Sequence, residues 1–168
     1  FCDVFVHPVV DYLGGGVILT LIHPVDYLFW LFGEVEKVRA SIRSIPSLQT
    51  HTDDDLADIT LEFKSGVIGQ VHLDYIQSPP VHALTVLGDK GRATLLYHAG
   101  TLEWETKDGS SQLECAPDGF ERNMMFMDEM RHFLDCVHQN KPTLVPLDDG
   151  IATLKIAVQA KSDAMTGI

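Results

Sequence analysis

The strongest indication of the fold comes from residues 56–75, LADITLEFKSGVIGQVHLDY. Apolar and polar side chains alternate on both sides of Ser65-Gly66, a pair that is typical of tight turns. One face of the two strands would carry Ala57, Ile59, Leu61 and Phe63, then Val67, Val71, Leu73 and Tyr75. The opposite face would be largely polar. The segment therefore predicts a β-hairpin with one buried face.

The flanking sequence adds further strands and then helices. Strands are expected at Val35–Ile45, in a second hairpin formed by ALTVL and RATLLY around GDKG, and in TLEWET and SQLEC. Helical spacing of apolar residues begins at Asn123, and an Asp following Leu147 can cap a last helix that runs through Ala164. This order predicts an α+β fold, an antiparallel-rich open sheet with helices packed on one face. We expect residues 1–168 to form a single domain.

The composition argues against several kinds of partner. A formal net charge of −12 over 168 residues disfavours nucleic acid and anionic membranes, because both require a basic surface. The acidic run Asp53-Asp54-Asp55 is interpreted as a solvated loop. Three cysteines without C-x-x-C spacing favour the cytoplasm over an oxidising compartment. Because the chain begins at Phe1 rather than at Met, we expect a fragment or a processed product.

A second informative segment is 14–34, GGGVILTLIHPVDYLFWLFGE. A dinucleotide-binding loop needs G-x-G-x-x-G, but Leu19 stands where the third glycine would be. A membrane span needs about 20 apolar residues, and this run is shorter and contains polar side chains. The segment is therefore expected to be a core helix rather than a nucleotide loop or a membrane anchor.

This helix would present a polar stripe. At about 100° per residue, Thr20, His23 and Asp26 fall within one narrow arc opposite a wide apolar face. Pro24 should kink the helix or restart it with His23 as the cap. Two interpretations remain open: the stripe binds a ligand, or His23 and Asp26 satisfy each other or the backbone on a half-buried helix.

Other polar residues are weaker candidates. Asp11-Tyr12, just before the glycines, could reach the same site as His23, although loop anchoring explains them as well. Glu129 and His132 have the Glu-x-x-His spacing of di-iron bundles, but the additional carboxylate helices of such bundles are missing. No metal is therefore expected.

Several segments, taken together, resemble the C-terminal domain of the Gfo/Idh/MocA oxidoreductases. This family is named after glucose–fructose oxidoreductase, inositol dehydrogenase and a rhizopine-catabolism protein. The segments are, in order, GGGVILTLIHPVDYLFWLFGEVEKV, DDLADITLEFKSGVIGQVHLDY, LTVLGDKGRATL, NMMFMDEMRHFLDCV and PLDDGIATLKIAVQAKSDAM. The similarity runs from about Gly14 to the end of the chain.

The resemblance implies an oxidoreductase whose N-terminal Rossmann domain, absent from this chain, binds NAD or NADP. The C-terminal α+β domain would supply substrate contacts and an oligomer surface on its free sheet face. Hydride would pass between the nicotinamide and a carbon of a sugar, cyclitol or related polyol. The family histidine corresponds to His23, which would handle the hydroxyl proton. Substrate contacts are expected at Thr20 and Asp26, and more weakly at Asp11 and Tyr12. Without the nucleotide-binding domain, the fragment is expected to be inactive.

The sequence departs from the family pattern at two points. Thr20 stands nearest to the place of the Asp that commonly precedes the histidine, and the spacing is one residue shorter. Threonine can hydrogen-bond a sugar hydroxyl but cannot hold negative charge against an imidazolium. The Glu-Lys-Pro motif is also missing, because Val38 follows Glu36-Lys37. A non-catalytic sugar-binding or scaffold module remains the alternative, since fold alone does not establish activity.

Overall fold

The structure is a computed structural model that describes residues 15–50 and 52–166. Within these residues the chain forms four α-helices, one short 3₁₀ helix and seven β-strands. In chain order they are α1 Val17–Thr20, α2 His23–Phe32, β1 Val35–Arg43, the 3₁₀ helix Pro46–Leu48, β2 Leu56–Phe63, β3 Ile68–Asp74, β4 Ala83–Leu87, β5 Gly91–Leu96, β6 Thr101–Thr106, β7 Ser111–Cys115, α3 Arg122–Gln139 and α4 Leu147–Thr166. Each predicted strand is present, with ends that differ by at most two residues. The segment 14–34 forms two helices, and α4 begins at Leu147, so that Asp148 and Asp149 lie in its first turn rather than at its cap.

The elements group into two compact units. One contains the described residues up to Ile76 together with those from Leu144 onward, and the other spans Gln77–Thr143. The first unit holds a three-stranded sheet of order β1-β2-β3, and the second a four-stranded sheet of order β4-β5-β6-β7. All pairings are antiparallel, so the predicted α+β class is confirmed. That residues 1–168 form one domain stays a prediction.

The hairpin β2-β3 forms the centre of the first unit, as predicted. Ala57 pairs with Leu73 and Ile59 pairs with Val71, and all four side chains are buried. The turn closes through Phe63 and Val67, with Gly66 at a φ of +85°. The opposite face is polar apart from the half-buried Leu56 and from Ile68, which is 68% exposed. Because side chains alternate with a period of two residues, the apolar row packs against the helices and most of the opposite, largely polar row faces solvent.

Helices α1, α2 and α4 cover the buried face of this sheet. The apolar side chains that fill the interface are Val17, Ile18, Val25 and Leu28 from α1 and α2, and Ile156, Ala157, Ala160 and Ala164 from α4. The alanines of α4 let this helix approach β1 closely. Full burial of each larger aliphatic side chain contributes about 1.5–3 kcal/mol.

Helix α4 also contacts the free edge of β1. The Asp163 carboxylate accepts a hydrogen bond from the Ala40 N–H at 2.9 Å and pairs with Arg39 at 3.2 Å. An unpaired edge strand exposes backbone donors that can recruit another chain. The Asp163 side chain satisfies one of these donors from within the same unit.

The predicted interruption at Pro24 is confirmed, with a small correction. Helix α1 ends at Thr20, and α2 starts at His23 with Ile22, not His23, as its N-cap. Pro24 therefore lies in the first turn of α2, where its missing N–H costs no intrahelical hydrogen bond. None of the helices in the described ranges is both long and apolar enough to cross a bilayer.

The second unit is a meander of four strands followed by α3. The predicted turn in GDKG is present, with the Gly88 N–H donating to the Gly91 carbonyl at 2.9 Å. Helix α3 begins one residue before the predicted Asn123. Its apolar residues, including Phe126, Met130 and Phe133, are exposed, while Cys136 is buried.

Candidate functional site

The three stripe residues lie at the junction of α1 and α2, on the side away from the core. Thr20, His23 and Asp26 are all exposed, whereas Val25 and Leu28 of the same helix are buried. His23 and Asp26 are three residues apart on α2, and such pairs are neighbours on a helix surface. The structure thus presents the polar stripe to solvent on both sides of the break between α1 and α2.

His23 differs from its two neighbours in its bonding. Within residues 15–50 and 52–166, its imidazole has no hydrogen-bond or ion-pair partner. His23 is exposed, so water can satisfy its ring nitrogens without a protein partner. The His23–Asp26 pairing considered from sequence is not formed. Among the described residues, no side chain or backbone group therefore occupies either ring nitrogen.

Asp26 is held by the last helix. The hydroxyl of Thr153 on α4 donates to Asp26 Oδ1 at 2.7 Å, and the Thr153 side chain is buried. One carboxylate oxygen is thereby committed to the protein. Because Asp26 itself is exposed, its other oxygen can still accept a hydrogen bond from a ligand.

Tyr75, at the end of β3, is a site residue that the sequence did not single out. Burial raises the pKa of its phenol, a hydrogen-bonding interaction with the Thr20 hydroxyl opposes this rise, and the nearby charges of Asp54 and Asp55 add to it. Tyr75 therefore stays a neutral hydrogen-bond donor at physiological pH, next to Thr20. The alternating pattern of the hairpin predicts that Tyr75 lies on the apolar face, and nothing in this local pattern relates Tyr75 to Thr20.

The interpretation of Asp53-Asp54-Asp55 as a solvated loop is wrong for two of its three residues. Asp53 is exposed, but Asp54 and Asp55 are both 0% exposed. Asp54 accepts hydrogen bonds from the Ile18 N–H at 3.1 Å and from Lys161 Nζ at 2.8 Å. A buried carboxylate needs such partners, since charge without compensation is costly in the interior.

Asp55 is satisfied by a different set of donors. Its carboxylate accepts from the Ile45 N–H at 2.6 Å, from the Thr52 hydroxyl at 3.1 Å and from the hydroxyls of Thr50 and Ser44. Burial alone would raise the pKa of Asp55, but these hydrogen bonds to the charged form outweigh it and hold the pKa below 3.8. The loop before β2 is therefore organised around an ionised carboxylate.

The glycine segment does not fit a nucleotide phosphate. Helix α1 has only four residues, and the Asp54 carboxylate occupies its N-terminal end beside Gly16. A negative charge at that position repels a phosphate that would otherwise bind a helix N-terminus. This chain therefore offers no dinucleotide-phosphate site there, as the absence of the third glycine indicates.

The weaker sequence candidates lie either outside the described residues or in the second unit. Asp11 and Tyr12 lie outside the described residues. Glu129 and His132 lie on α3, in the second unit. Among the residues that the structure describes, no three His, Cys, Asp or Glu side chains are grouped so that they could hold a metal ion.

One known protein family matches nearly the whole chain. Residues 9–167 match the family described as the oxidoreductase family, C-terminal alpha/beta domain. The chain therefore belongs to the Gfo/Idh/MocA oxidoreductase family, in which it corresponds to the C-terminal domain. No curated protein sequence matches the chain significantly.

Solved structures share the fold at low sequence identity. An aldose-aldose oxidoreductase from Caulobacter crescentus, complexed with glycerol, matches with a TM-score of 0.76 and 22% identity, over 93% of this chain and 48% of that chain. The UDP-N-acetylglucosamine 3-dehydrogenase GnnA from Acidithiobacillus ferrooxidans gives a TM-score of 0.74 and 18% identity, over 88% and 46%. The WlbA dehydrogenase from Bordetella pertussis, in complex with NADH and UDP-GlcNAcA, gives 0.69 and 20%, over 93% and 47%. The chain thus spans just under half the length of these proteins.

Proposed function

We propose that this chain is the substrate-binding domain of an NAD(P)-dependent oxidoreductase that acts on a sugar, cyclitol or related polyol. The single observation that carries the proposal is the exposed imidazole of His23, which has no partner among the described residues and lies between two anchored polar residues. Membership of an oxidoreductase family supports it. The named relatives support the substrate class, since they are an aldose enzyme and two enzymes associated with UDP-sugars.

His23 is proposed to accept the hydroxyl proton when a carbinol is oxidised and to return it in the reverse reaction. An imidazole is suited to this step because its two protonation states are both accessible near neutral pH. No carboxylate of the described residues pairs with the ring, so a substrate hydroxyl can approach it from solvent. This arrangement leaves proton transfer to the contact between His23 and the substrate hydroxyl.

Neighbouring polar groups would orient the sugar. Thr20 and Tyr75 supply hydroxyls, and Asp26 supplies a free carboxylate oxygen. Sugar hydroxyls both donate and accept, so a mixed set of this kind can bind adjacent hydroxyls of one ring. Trp30, two helical turns beyond His23 and 78% exposed, offers an apolar surface on the same side of α2. Asp11 and Tyr12 are retained as further proposed contacts.

The nicotinamide cofactor would supply or accept the hydride. Its phosphates would be bound by residues outside this chain, as the family resemblance implies, and the Asp54 carboxylate disfavours a phosphate at the N-terminus of α1. The 168-residue chain alone is accordingly expected to show no NAD(P)H-linked turnover.

Self-association is proposed through the outer face of the first sheet. This face carries basic side chains on β1, such as Lys37 and Arg43, acidic ones on β2, such as Asp58 and Glu62, and the exposed Ile68 on β3. Mixed charge with an exposed apolar residue at the start of the edge strand β3 is compatible with a self-complementary two-fold contact. Sedimentation of wild-type protein and of Ile68→Glu tests this: the variant should dissociate, and an unchanged mass would remove the support.

The proposed function is tested on the complete product of the gene that encodes this chain. NADH and NADPH binding is followed by fluorescence, and turnover is measured on aldoses, cyclitols and UDP-sugars. Cofactor binding with turnover on at least one class is the expected result. Sugar binding without cofactor binding or turnover would instead favour the non-catalytic module.

A further inference from the structure

A carboxylate from a distant loop caps the short helix that precedes His23. Asp54 lies 36 residues beyond Ile18 in sequence, yet its Oδ2 accepts the Ile18 N–H at 3.1 Å. Its backbone carbonyl accepts the Val17 N–H at 2.7 Å. These are two of the N–H groups that a helix leaves without intrahelical partners. The beginning of α1 is thus fixed by one residue of the loop before β2.

A lysine from α4 completes the arrangement. Lys161 Nζ lies 2.8 Å from Asp54 Oδ1 and also donates to the Gly15 carbonyl at 3.2 Å. The ion pair is largely inaccessible, with side-chain exposures of 21% for Lys161 and 0% for Asp54. One ammonium group therefore binds both the capping carboxylate and the backbone just before α1.

Gly16 makes the close approach possible. It has a φ of +100°, and a Cβ placed on it would lie 1.9 Å from Asp54 Oδ1. Any side chain at this position would occupy the space of the carboxylate. Gly16, Asp54 and Lys161 therefore form one interdependent group, here called the glycine clamp.

The glycine clamp lies close in sequence to His23. Helix α1 ends at Thr20, so only Leu21 and Ile22 separate it from His23. Helix α4 holds the same segment a second time, through Thr153 and Asp26. Thr153 and Lys161 are about two turns apart and lie on one face of α4. This single helix therefore anchors the site segment both before and after His23.

We propose that Asp54 and Lys161 are positioning residues, whose buried ion pair sets the place at which His23 meets the substrate. The proposal rests on the proposed function of His23 but adds residues that touch neither substrate nor cofactor. Its physical basis is that a displacement of about 1 Å in a reacting group can lower the rate about a hundredfold.

The first test compares two substitutions, each of which removes one cation from the protein. Lys161→Met removes the cation of the glycine clamp, while Arg39→Met removes a cation that also pairs with an aspartate and also joins α4 to the sheet, but away from His23. The readout is the imidazole ¹H–¹³C correlation of His23, assigned with His23→Gln. A shifted His23 signal in Lys161→Met and an unchanged one in Arg39→Met is expected. Identical His23 signals in folded Lys161→Met and wild type would overturn the proposal.

A second pair of variants covers the possibility that Lys161→Met does not fold. Asp54→Asn keeps an acceptor for the Ile18 N–H but removes the charge, and Lys161→Arg keeps the charge. Asp54→Asn should shift the His23 signal, and Lys161→Arg should retain most of the wild-type position. A larger shift of the His23 signal in Lys161→Arg than in Asp54→Asn would contradict a role for the ion pair.

Kinetics of the complete gene product separate positioning from stability. Asp54→Asn should lower kcat about tenfold to a hundredfold with little change in cofactor affinity, whereas Arg39→Met should leave kcat unchanged. Unchanged kcat in Asp54→Asn would overturn the proposal. If wild-type protein shows no turnover at all, the proposed function fails, and the His23 signal still decides whether the clamp positions the ring.

Discussion

The hydroxyl of Thr153 donates a 2.7 Å hydrogen bond to Asp26 Oδ1 and so joins the last helix of the chain to the candidate site. The two residues are 127 positions apart in sequence. Together with the ion pair of Asp54 and Lys161, this bond makes α4 the element on which the geometry of the site depends.

Replacing Thr153 with Val should destabilise the domain modestly. Valine keeps the shape but removes the donor, and Asp26 is exposed enough for water to replace the lost bond, so a loss of about 1 kcal/mol is expected. Thr166→Val is the matched control, because among the described residues the Thr166 hydroxyl bonds to carbonyls of its own helix, at the exposed end of α4. Urea unfolding of both variants checks this. Equal losses would show that the bond to Asp26 contributes nothing of its own.

Replacing Gly16 with Ala should be far more disruptive than the same change at Gly33. Both glycines have backbone angles that other residues avoid, φ +100° and ψ 163° at Gly16 and φ +83° and ψ −150° at Gly33. Each substitution should therefore cost about 1–3 kcal/mol in backbone strain. Only Gly16 has a neighbour in the way of a Cβ, since nothing lies within 4 Å of that position at Gly33.

Expulsion of the Asp54 carboxylate should add about 3 kcal/mol or more to the cost of Gly16→Ala, because a buried pair would be broken. Thermal and chemical unfolding of the two alanine variants measures the difference directly. A smaller loss at Gly16 than at Gly33 would show that Asp54 can move aside at little cost.

The buried carboxylate of Asp55 predicts a loss of stability in acid. Burial alone would raise its pKa, but the hydrogen bonds from Thr50, Ile45, Thr52 and Ser44 outweigh burial and lower it. A lowered folded-state pKa stabilises the fold above the ordinary value of 3.8, and this contribution is lost as the pH falls through the folded-state pKa.

The difference in unfolding free energy between wild type and Asp55→Asn should consequently be largest near neutral pH and shrink below about pH 4. Asp53→Asn serves as the control, because Asp53 is the exposed neighbour in the same acidic run. Unfolding curves from pH 7 to pH 3 would refute the account if the Asp55→Asn difference stayed constant.

His72 on the outer sheet face should titrate above its ordinary pKa. The hydrogen bond between its Nδ1 and Asp58, at 2.7 Å, is the largest cause of the raised pKa; burial opposes it, and the charges of Asp58 and Asp74 add to it. A raised folded-state pKa stabilises the fold below 6.5, and the contribution is lost as the pH rises through the folded-state pKa.

NMR titration of the His72 ring checks this directly. Asp58→Asn should lower the pKa of His72 more than Asp74→Asn does, since Asp58 is the larger cause. Because His72 is exposed, the effect on stability should not exceed about 1 kcal/mol. The account is wrong if Asp74→Asn has the larger effect.

The hairpin β2-β3 could be predicted from sequence because its cause is local. Alternation of apolar and polar residues at a period of two assigns each side chain of Leu56–Phe63 to a face without knowledge of the partner strand. The break at Pro24 was equally predictable, since proline removes one backbone donor wherever it occurs. The N-cap was misplaced by one residue because such boundaries depend on the final backbone angles.

The anchors of the site could not be predicted from sequence. Asp54 and Asp55 stand in a run of three acids, which local reasoning assigns to solvent. Their partners include Lys161, which is 107 positions away from Asp54, and hydroxyl groups of a loop with no regular pattern. Charge satisfied by distant donors leaves no periodic signal, so only the tertiary structure reveals that these carboxylates are buried.

The most direct test of the central claim is the activity of His23→Gln in the complete gene product, with NADH affinity measured in parallel. Glutamine retains hydrogen-bonding capacity but cannot transfer a proton at neutral pH. Loss of general acid–base catalysis should lower kcat/KM for the sugar or polyol about a hundredfold or more while cofactor affinity stays unchanged. An undiminished kcat/KM in His23→Gln would contradict the assignment of the α1–α2 junction as the site of proton transfer.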